Sequence, residues 1–287
     1  MNTAIFQQFS EIAYRRAGIR LGPGKEALVG ARISKRMRAL GLKTPSDYLE
    51  YLLADDSGEE VVNFLDVIST NFTNFFREPE HFAILAQHAR KHVNANRSRL
   101  RFWSAACSSG EEPYTMALTI ADTIGEANIN WRILATDIST RVLEKASNAT
   151  YDEYALRNVP RHLKSKYFQV VEPKSSTNAR YRIVDHLRHF VAFKRLNLSN
   201  PPFPMRGPID FVMCRNVMIY FDQHVRQGLI SSIESLLAPD GILCIGHAET
   251  LNGLKTGLRP VQPSVYVHSN SALLTTKNTN SIKVDSL

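Results

Sequence analysis

The sequence lacks any long apolar run. No stretch approaches the roughly 20 consecutive apolar residues that a membrane-spanning helix needs, and no apolar segment follows a basic one near the N-terminus. These absences predict a cytoplasmic protein without direct membrane insertion. With 44% hydrophobic residues in 287, the chain can still bury one substantial core and form a smaller second domain.

Cysteine is also scarce, and the three cysteines form no CxxC pair. Cys107, Cys214 and Cys244 each lie within or beside an apolar run typical of a buried strand, which favours reduced core thiols. The nine histidines show no metal-ligand spacing, and residues 22–26 lack both the first glycine and the Ser/Thr of a phosphate-binding loop. The sequence therefore predicts no metal requirement.

Positive charge predominates, since Lys and Arg exceed Asp and Glu by 8. This balance favours an anionic partner without indicating which kind. On a helix predicted over residues 25–40, Arg32, Lys35 and Arg36 fall on one face at i, i+3 and i+4 spacing. Such a face is commonly just solvated, and contact with a partner is the other interpretation.

Residues 1–75 show helical periodicity interrupted by turn signals. The predicted helix over residues 25–40 carries an apolar stripe at Leu28, Val29, Ile33, Met37 and Leu40, and Gly41 ends it. The simplest account is an all-α N-terminal domain over residues 1–75, followed by a linker helix over residues 76–98.

After about residue 98, apolar strand candidates alternate with helical segments, which indicates a parallel sheet with crossover helices. The predicted strands cover residues 100–105, 131–136, 209–214 and 241–246. Residues 167–194 resemble a small antiparallel insertion, and residues 271–287 are polar enough to predict a disordered tail. The predicted fold class is α/β, with a Rossmann-like domain over residues 99–270.

A turn of small residues, 104–110, follows the first predicted strand and opens a helix with proline in its first turn. Small side chains there let a ligand approach the backbone amides of a helix N-terminus. The turn lacks the G-x-G-x-x-G pattern that a pyrophosphate requires, whereas a ligand with an ammonium group can use a carboxylate such as Glu111 or Glu112. An ordinary strand-to-helix turn is the alternative.

Asp137 ends the second predicted strand, 27 residues after Gly110. An acidic residue at this place can accept hydrogen bonds from both hydroxyls of a ribose. Because residues 138–140 begin a helix-like run, a helix-capping role is the alternative. Together with the preceding turn, the spacing favours the ribose role.

Five motifs, in order across nearly the full chain, resemble those of CheR-type chemotaxis receptor methyltransferases. They are Thr70-Asn-Phe-Thr-Asn-Phe-Phe-Arg-Glu78, Trp103-Ser-Ala-Ala with Gly110-Glu-Glu-Pro-Tyr114, Ala135-Thr-Asp-Ile-Ser139, Asn197-Leu198, and Cys214-Arg-Asn-Val-Met-Ile-Tyr-Phe221. The resemblance implies a Rossmann-like methyltransferase dependent on S-adenosylmethionine (SAM). Its implied reaction esterifies glutamate side chains on the cytoplasmic helical bundle of a chemoreceptor.

The resemblance also implies roles for individual residues. Asn71, Thr73 and Arg77 would close over the cofactor. Glu112 and Asp137 would hold its methionine and ribose parts. Asn197 and Leu198 would flank the adenine, and Arg215 and Asn216 would lie beside the site. Two of the implied roles are catalytic: Arg77 would orient the incoming carboxylate, and Tyr220 would steady the methyl region. A surface or interdomain salt bridge for Arg77 and a core position for Tyr220 are the alternatives. The helix bearing Arg32, Lys35 and Arg36 would meet an acidic receptor bundle.

Two other functions compete with this interpretation. The tetrapeptide Asn200-Pro-Pro-Phe203 matches a motif of enzymes that methylate nucleobase amino groups, but it should directly follow the fourth strand of the sheet, and Arg215-Asn216 occupy that place here. A catalytically silent SAM-sensing adaptor is disfavoured because Arg77, Asp137, Asn216 and Tyr220 are all present. We therefore expect no nucleic-acid partner.

The insertion bears on how a receptor would be recruited. In related enzymes it can bind a peptide at the receptor's C-terminus by strand addition. Its turn here, residues 173–179, lacks the glycine-bearing connection of the tethered members. The sequence thus favours recruitment that is independent of the peptide.

Overall fold

The computed structural model describes residues 1–125, 127, 129–172 and 179–271. The predicted tail and the turn of the insertion therefore fall almost entirely outside the described residues. Among the described residues, no helix combines the length and apolar character needed to span a bilayer.

Four helices form the N-terminal part of the chain: α1 (Thr3–Ala17), α2 (Glu26–Leu40), α3 (Pro45–Leu53) and α4 (Glu59–Ile68). Local sequence sets their ends, since Thr44 and Asp47 form a reciprocal capping box at α3 and Gly41 ends α2 in the left-handed conformation. The helices pack around stacked rings, with Phe9 lying 5.8 Å from Tyr48 and 5.4 Å from Phe64 between ring centroids. The all-α character expected of this region is confirmed.

A seven-stranded sheet forms the second part, in the order β6-β2-β1-β7-β8-β10-β9. Its strands are β1 (Arg99–Ser104), β2 (Asn130–Asp137), β6 (Val191–Arg195), β7 (Ile209–Cys214), β8 (Leu237–Ile245), β9 (Leu258–Gln262) and β10 (Val265–His268). The strands β6, β2, β1, β7 and β8 pair in parallel, and β10 inserts antiparallel between β8 and β9. The α/β class is confirmed, although β8 begins four residues before the predicted 241.

Helices cover both faces of this sheet. They are α5 (Glu80–Asn94), which precedes β1, and the crossover helices α6 (Glu111–Ile124), α7 (Thr140–Asn148) and α10 (Gln223–Leu236). Neighbouring strand residues point to opposite faces: Phe102 and Phe211 join the core under α5 and α6, whereas Trp103 and Val212 join the core under α10. The three cysteines are buried and unbridged, and burial raises the pKa of each thiol, so they are inert core residues.

The antiparallel insertion has different boundaries from those predicted. Its sheet has the order β3-β5-β4, from β3 (Thr150–Asp152), β4 (Phe168–Glu172) and β5 (Arg180–Ile183). Helix α8 (Arg161–Tyr167) lies between β3 and β4 in the chain, and α9 (Asp185–Arg188) follows β5. The inclusion of residues 190–194 was wrong, because β6 pairs in parallel with β2 at the edge of the main sheet. An apolar run of this length does not reveal which of two sheets it joins.

Candidate functional site

One cleft of about 1200 Å³, its open mouth included, lies between the helical domain and the carboxyl ends of β1, β2 and β7. Parallel strands end at the same edge of a sheet, so the loops after them converge there. Every residue predicted to bind the cofactor or to act in catalysis lines this cleft: Asn71, Thr73, Arg77, Glu112, Asp137, Asn197, Leu198, Arg215, Asn216 and Tyr220. We call its buried residues Glu112, Asp137 and Arg215 the floor, and its exposed residues Arg20, Lys25 and Phe72 the mouth.

Asp137 is fixed at the end of β2 by two backbone amides. Its Oδ2 accepts from the Ser108 N–H at 2.9 Å and its Oδ1 from the Ser139 N–H at 3.0 Å. Burial raises the pKa of this carboxyl, and the two amides oppose that rise. Ser139, not Asp137, is the N-cap residue of α7, because its hydroxyl accepts from the Val142 N–H. The capping alternative for Asp137 is therefore weakened.

Gly110 shapes the turn between β1 and α6. Its φ of 99° belongs to the region that favours glycine, and a Cβ there would lie 2.7 Å from the Tyr151 hydroxyl and 2.9 Å from the Ala146 Cβ. The small residues Ala105, Ala106 and Ser108 leave the floor open above this turn.

Glu112, rather than Glu111, faces the cleft. The Oε1 of Glu112 accepts from the Ser104 hydroxyl at 2.7 Å, and its Oε2 lies 3.0 Å from Nη1 of Arg215. Glu111 instead accepts from the Ser109 hydroxyl and is not among the lining residues. Burial raises the pKa of the Glu112 carboxyl, and Arg215 opposes that rise.

Arg215 joins the floor to the segment before α5. Its Nη2 lies 3.0 Å from the carboxylate of Glu78 and donates to the Arg77 carbonyl. The Asn216 side chain also donates to Glu78, at 3.3 Å. Burial would raise the pKa of Glu78, but Arg215 and Asn216 outweigh it, so the pKa lies below its usual value. Sequence reasoning gave Glu78 no role, although it is the last residue of the first motif.

The Arg77 side chain is 33% exposed and stands beside the mouth. Its Nη1 donates to the Phe72 carbonyl at 3.1 Å, and its Nε lies 3.9 Å from Glu78. The salt-bridge alternative thus holds only in a weak form, because the pair with Glu78 is a single contact at 3.9 Å on a partly exposed side chain.

Tyr220 closes a short 3₁₀ turn, Met218–Tyr220, and is half-buried in the cleft wall, so it is not a fully buried core residue. Its carbonyl accepts from the Arg20 N–H at 2.9 Å, which ties the turn to the helical domain. Asn197 makes a second tie, because its amide donates to the Arg16 carbonyl at 2.8 Å. With Ser199 also donating to its oxygen, the Asn197 side chain is already engaged within the protein.

The three basic residues of α2 that were predicted to bind a partner, Arg32, Lys35 and Arg36, do not share one exposed surface. Arg36 makes a two-pronged pair with the buried Glu60, with Nε 3.0 Å from Oε1, so its predicted partner contact needs correction. Arg32 lines the cleft and donates to the Ile68 carbonyl and the Thr70 hydroxyl, which holds the start of the segment bearing Asn71. Lys35 is exposed on the helix.

Two groups of histidine and carboxylate side chains could be mistaken for metal sites. Glu78 with His81 and His247, and His92 with Asp210 and Asp240, each bring ligand atoms within 4.8 Å of one another. In each group an arginine already pairs with a carboxylate: Arg215 lies 3.0 Å from Glu78, and Arg97 lies 3.0 Å from Asp210. A guanidinium therefore supplies the positive charge that a metal would bring.

The tetrapeptide at residues 200–203 lies away from the cleft lining. Phe203 is buried, with its ring 5.6 Å from that of Trp103, so the segment serves the core under α10. Arg215 and Asn216 occupy the site edge instead, as the position of the motif in the sequence predicted.

A parallel sheet covered by helices on both faces, with a cleft at its carboxyl edge, is the architecture of a Rossmann-like, SAM-dependent methyltransferase. The family model described as "CheR methyltransferase, all-alpha domain" matches residues 4–69, and that described as "CheR methyltransferase, SAM binding domain" matches residues 71–267. The chain belongs to the CheR methyltransferase family, and SAM is its cofactor.

Relatives of similar length share this assignment. A chemotaxis protein methyltransferase of Escherichia coli K12 is 40% identical over 256 residues, covering 89% of this chain and 87% of the relative. One from Borreliella burgdorferi is 37% identical over 263 residues, covering 89% and 91%. One from Salmonella typhimurium LT2 is 38% identical over 255 residues, covering 88% and 86%. The resemblance read from the five motifs is confirmed.

Proposed function

We propose that this methyltransferase transfers the methyl group of SAM to glutamate side chains on the cytoplasmic helical bundle of a chemoreceptor, forming methyl esters. Membership of the family and the names of the relatives support a role in chemotaxis. The observation that carries the acceptor class is the separation of charge in the cleft, with carboxylates in the floor and cations at and beside the mouth.

The floor suits the proposed binding of the cofactor. Asp137 and Glu112 each use one lone pair per oxygen within the protein, which leaves acceptors for the ribose hydroxyls and the ammonium group respectively. When bound, SAM supplies an electrophilic methyl group on a positively charged sulfur. In the floor the two carboxylates of Glu112 and Asp137 outnumber the one guanidinium of Arg215, which also pairs with the adjoining Glu78, so the floor presents net negative charge to this cation.

The cations at the mouth suit an anionic acceptor. Arg20 and Lys25 lie there, and Arg77 also lines the cleft, with its Nη1 bonded to the Phe72 carbonyl and only a distant contact, at 3.9 Å, to Glu78. A glutamate carboxylate has an ordinary pKa near ~4.3, so it is already a nucleophile at neutral pH and needs no general base. Catalysis then rests on alignment, which can contribute about 7–11 kcal/mol. In this proposal Arg77 orients the carboxylate and the Tyr220 side chain borders the methyl group.

The decisive experiment offers the purified protein and labelled SAM to a receptor cytoplasmic fragment and, separately, to nucleic acid. Release of volatile methanol from the receptor sample under alkali is the expected result, because carboxyl methyl esters hydrolyse there. The same fragment with its exposed glutamates changed to glutamine is the matched control and should release none. Alkali-stable label on nucleic acid would overturn the proposal, and SAM binding without transfer to either acceptor would favour a sensor.

A further inference from the structure

Glu249 is a buried carboxylate that accepts hydrogen bonds from three backbone amides. It lies in a tight turn after β8, where its own N–H donates to the Gly246 carbonyl at 2.9 Å. Its Oε2 accepts from the N–H groups of Gly246 at 2.6 Å and Asn216 at 2.9 Å, and its Oε1 accepts from Met218 at 2.7 Å. The residue is 9% exposed and does not line the cleft, so its bonds serve the protein itself.

Two of these amides belong to the loop after β7, which carries site residues. Asn216 and Tyr220 line the cleft, and Met218 begins the 3₁₀ turn that ends at Tyr220. Asn216 has a φ of 59°, a left-handed conformation that asparagine adopts more readily than most residues and that local hydrogen bonds help to hold. The bond from the Asn216 N–H to Glu249 is one such restraint.

The approach between the two loops is close. A Cβ on Gly246 would lie 2.4 Å from Nδ2 and 2.9 Å from the backbone N of Asn216. Glycine at 246 therefore permits the contact, and the carboxylate of Glu249 fills the polar space between the loops. From Asn216 the restraint continues through its side chain to Glu78, and from Glu78 to Arg215.

We infer that Glu249 is a positioning residue for methyl transfer, holding the segment from Asn216 to Tyr220 against the end of β8. The inference rests on one part of the proposed function, namely that methyl transfer takes place in the cleft. It does not depend on which acceptor receives the methyl group. A carboxylate is suited to the task because both oxygens accept and neither donates. In glutamine one oxygen becomes an NH₂ group, which would face an amide N–H and leave at least one amide unpaired.

The test compares Glu249→Gln with Glu234→Gln. Glu234 makes bonds of the same kind, accepting from the Gly257 N–H at 2.9 Å and from the Thr256 hydroxyl, but it lies outside the cleft lining. For each variant we would measure thermal stability, the SAM dissociation constant and, with the receptor fragment, kcat and KM. Glu249→Asp, which keeps the charge but shortens the reach, is the second variant in case Glu249→Gln folds poorly.

Both glutamine variants should lose some thermal stability. Only Glu249→Gln should lower kcat, by about tenfold or more at saturating substrates, because small displacements of groups at a reacting centre are costly. Its SAM dissociation constant should rise by only about threefold, since most proposed cofactor contacts come from other loops. Glu249→Asp should retain more of kcat than Glu249→Gln does.

An equal kcat per folded molecule in the two glutamine variants would overturn the inference and leave Glu249 a purely structural residue. If the wild-type protein methylates no receptor fragment, the proposed acceptor fails instead. The SAM dissociation constants then decide the role of Glu249: a rise in Glu249→Gln alone supports it, and equal values overturn it.

Discussion

The guanidinium of Arg215 and the carboxylate of Glu112 face each other at 3.0 Å, with side chains 1% and 10% exposed. The same guanidinium pairs with Glu78 from the opposite side. One buried cation thus compensates two carboxylates that come from different parts of the chain, the segment before α5 and the start of α6. This arrangement couples the stability of the fold to the charge of the cofactor site.

Removal of the buried cation should destabilise the protein severely. Arg215→Met would leave two poorly solvated carboxylates without a counterion, and we expect the free energy of unfolding to fall by about 3–5 kcal/mol. Urea denaturation gives the value. The matched control is Arg15→Met, whose pair with Glu11 is exposed (73% and 58%) and should be worth less than about 1 kcal/mol. Equal losses in the two variants would contradict this account of the floor.

Asp137→Asn should weaken SAM binding. The amide can accept only through one oxygen, so it loses an amide contact as well as an acceptor for a ribose hydroxyl, and we expect the SAM dissociation constant to rise by about tenfold or more. Asp55→Asn is the control, because Asp55 likewise accepts from two backbone amides, those of Ser57 and Glu60, but lies outside the cleft lining. Isothermal titration calorimetry measures the SAM dissociation constant of each variant. An unchanged dissociation constant in Asp137→Asn would exclude the ribose role.

Arg77→Lys should impair use of the acceptor more than binding of the cofactor. Lysine keeps the charge but loses the planar fork that orients a carboxylate, so kcat/KM for the receptor fragment should fall by about tenfold. The SAM dissociation constant should change by less than about threefold. Arg157→Lys is the control, because Arg157 is exposed and outside the cleft lining. A fall in SAM affinity that matches the fall in kcat/KM would mean that Arg77 contacts only the cofactor and does not orient the acceptor.

His81 should make the protein sensitive to mild acid. Burial, assisted by the nearby Arg215, lowers the pKa of this imidazole to about 4. The unfolded chain takes up a proton near pH ~6.5, whereas the folded protein does not. The free energy of unfolding therefore falls as the pH is lowered from about 6.5 to about 4.

We expect the wild type to lose about 1.5 kcal/mol more than His81→Leu between pH 6.5 and pH 5, because the slope approaches about 1.4 kcal/mol per pH unit only below the unfolded pKa. Urea denaturation at the two pH values measures this difference. His224→Leu, at an exposed position, should behave as the wild type does. A pH dependence that His81→Leu leaves unchanged would refute the assignment.

The sequence predicted the fold class, because the alternation of strand and helix signals is local. The residues that line the cleft were named from the five motifs, and their individual roles stay predictions. Asp137 ends one recognisable strand and Arg215 and Asn216 follow another, so they lie at the same edge of the parallel sheet. Pairing between distant side chains was not predictable: neither the bond of Arg36 to Glu60 nor the position of β6 in the main sheet has a local signature. Glu249 was missed for the same reason, although an acidic residue just beyond a buried strand could have prompted a search for amides to bind.

The position of β10 has a consequence for synthesis of the chain. Because β10 lies between β8 and β9, the outer edge of β8 stays unpaired until residue 268 has left the ribosome. The buried core of the helical domain comes from residues 6–68, and the later residue Ile138 only packs against it while partly buried. A nascent or truncated chain ending before β10 would expose the apolar edge strand Leu237–Ile245, a template for misassembly between chains.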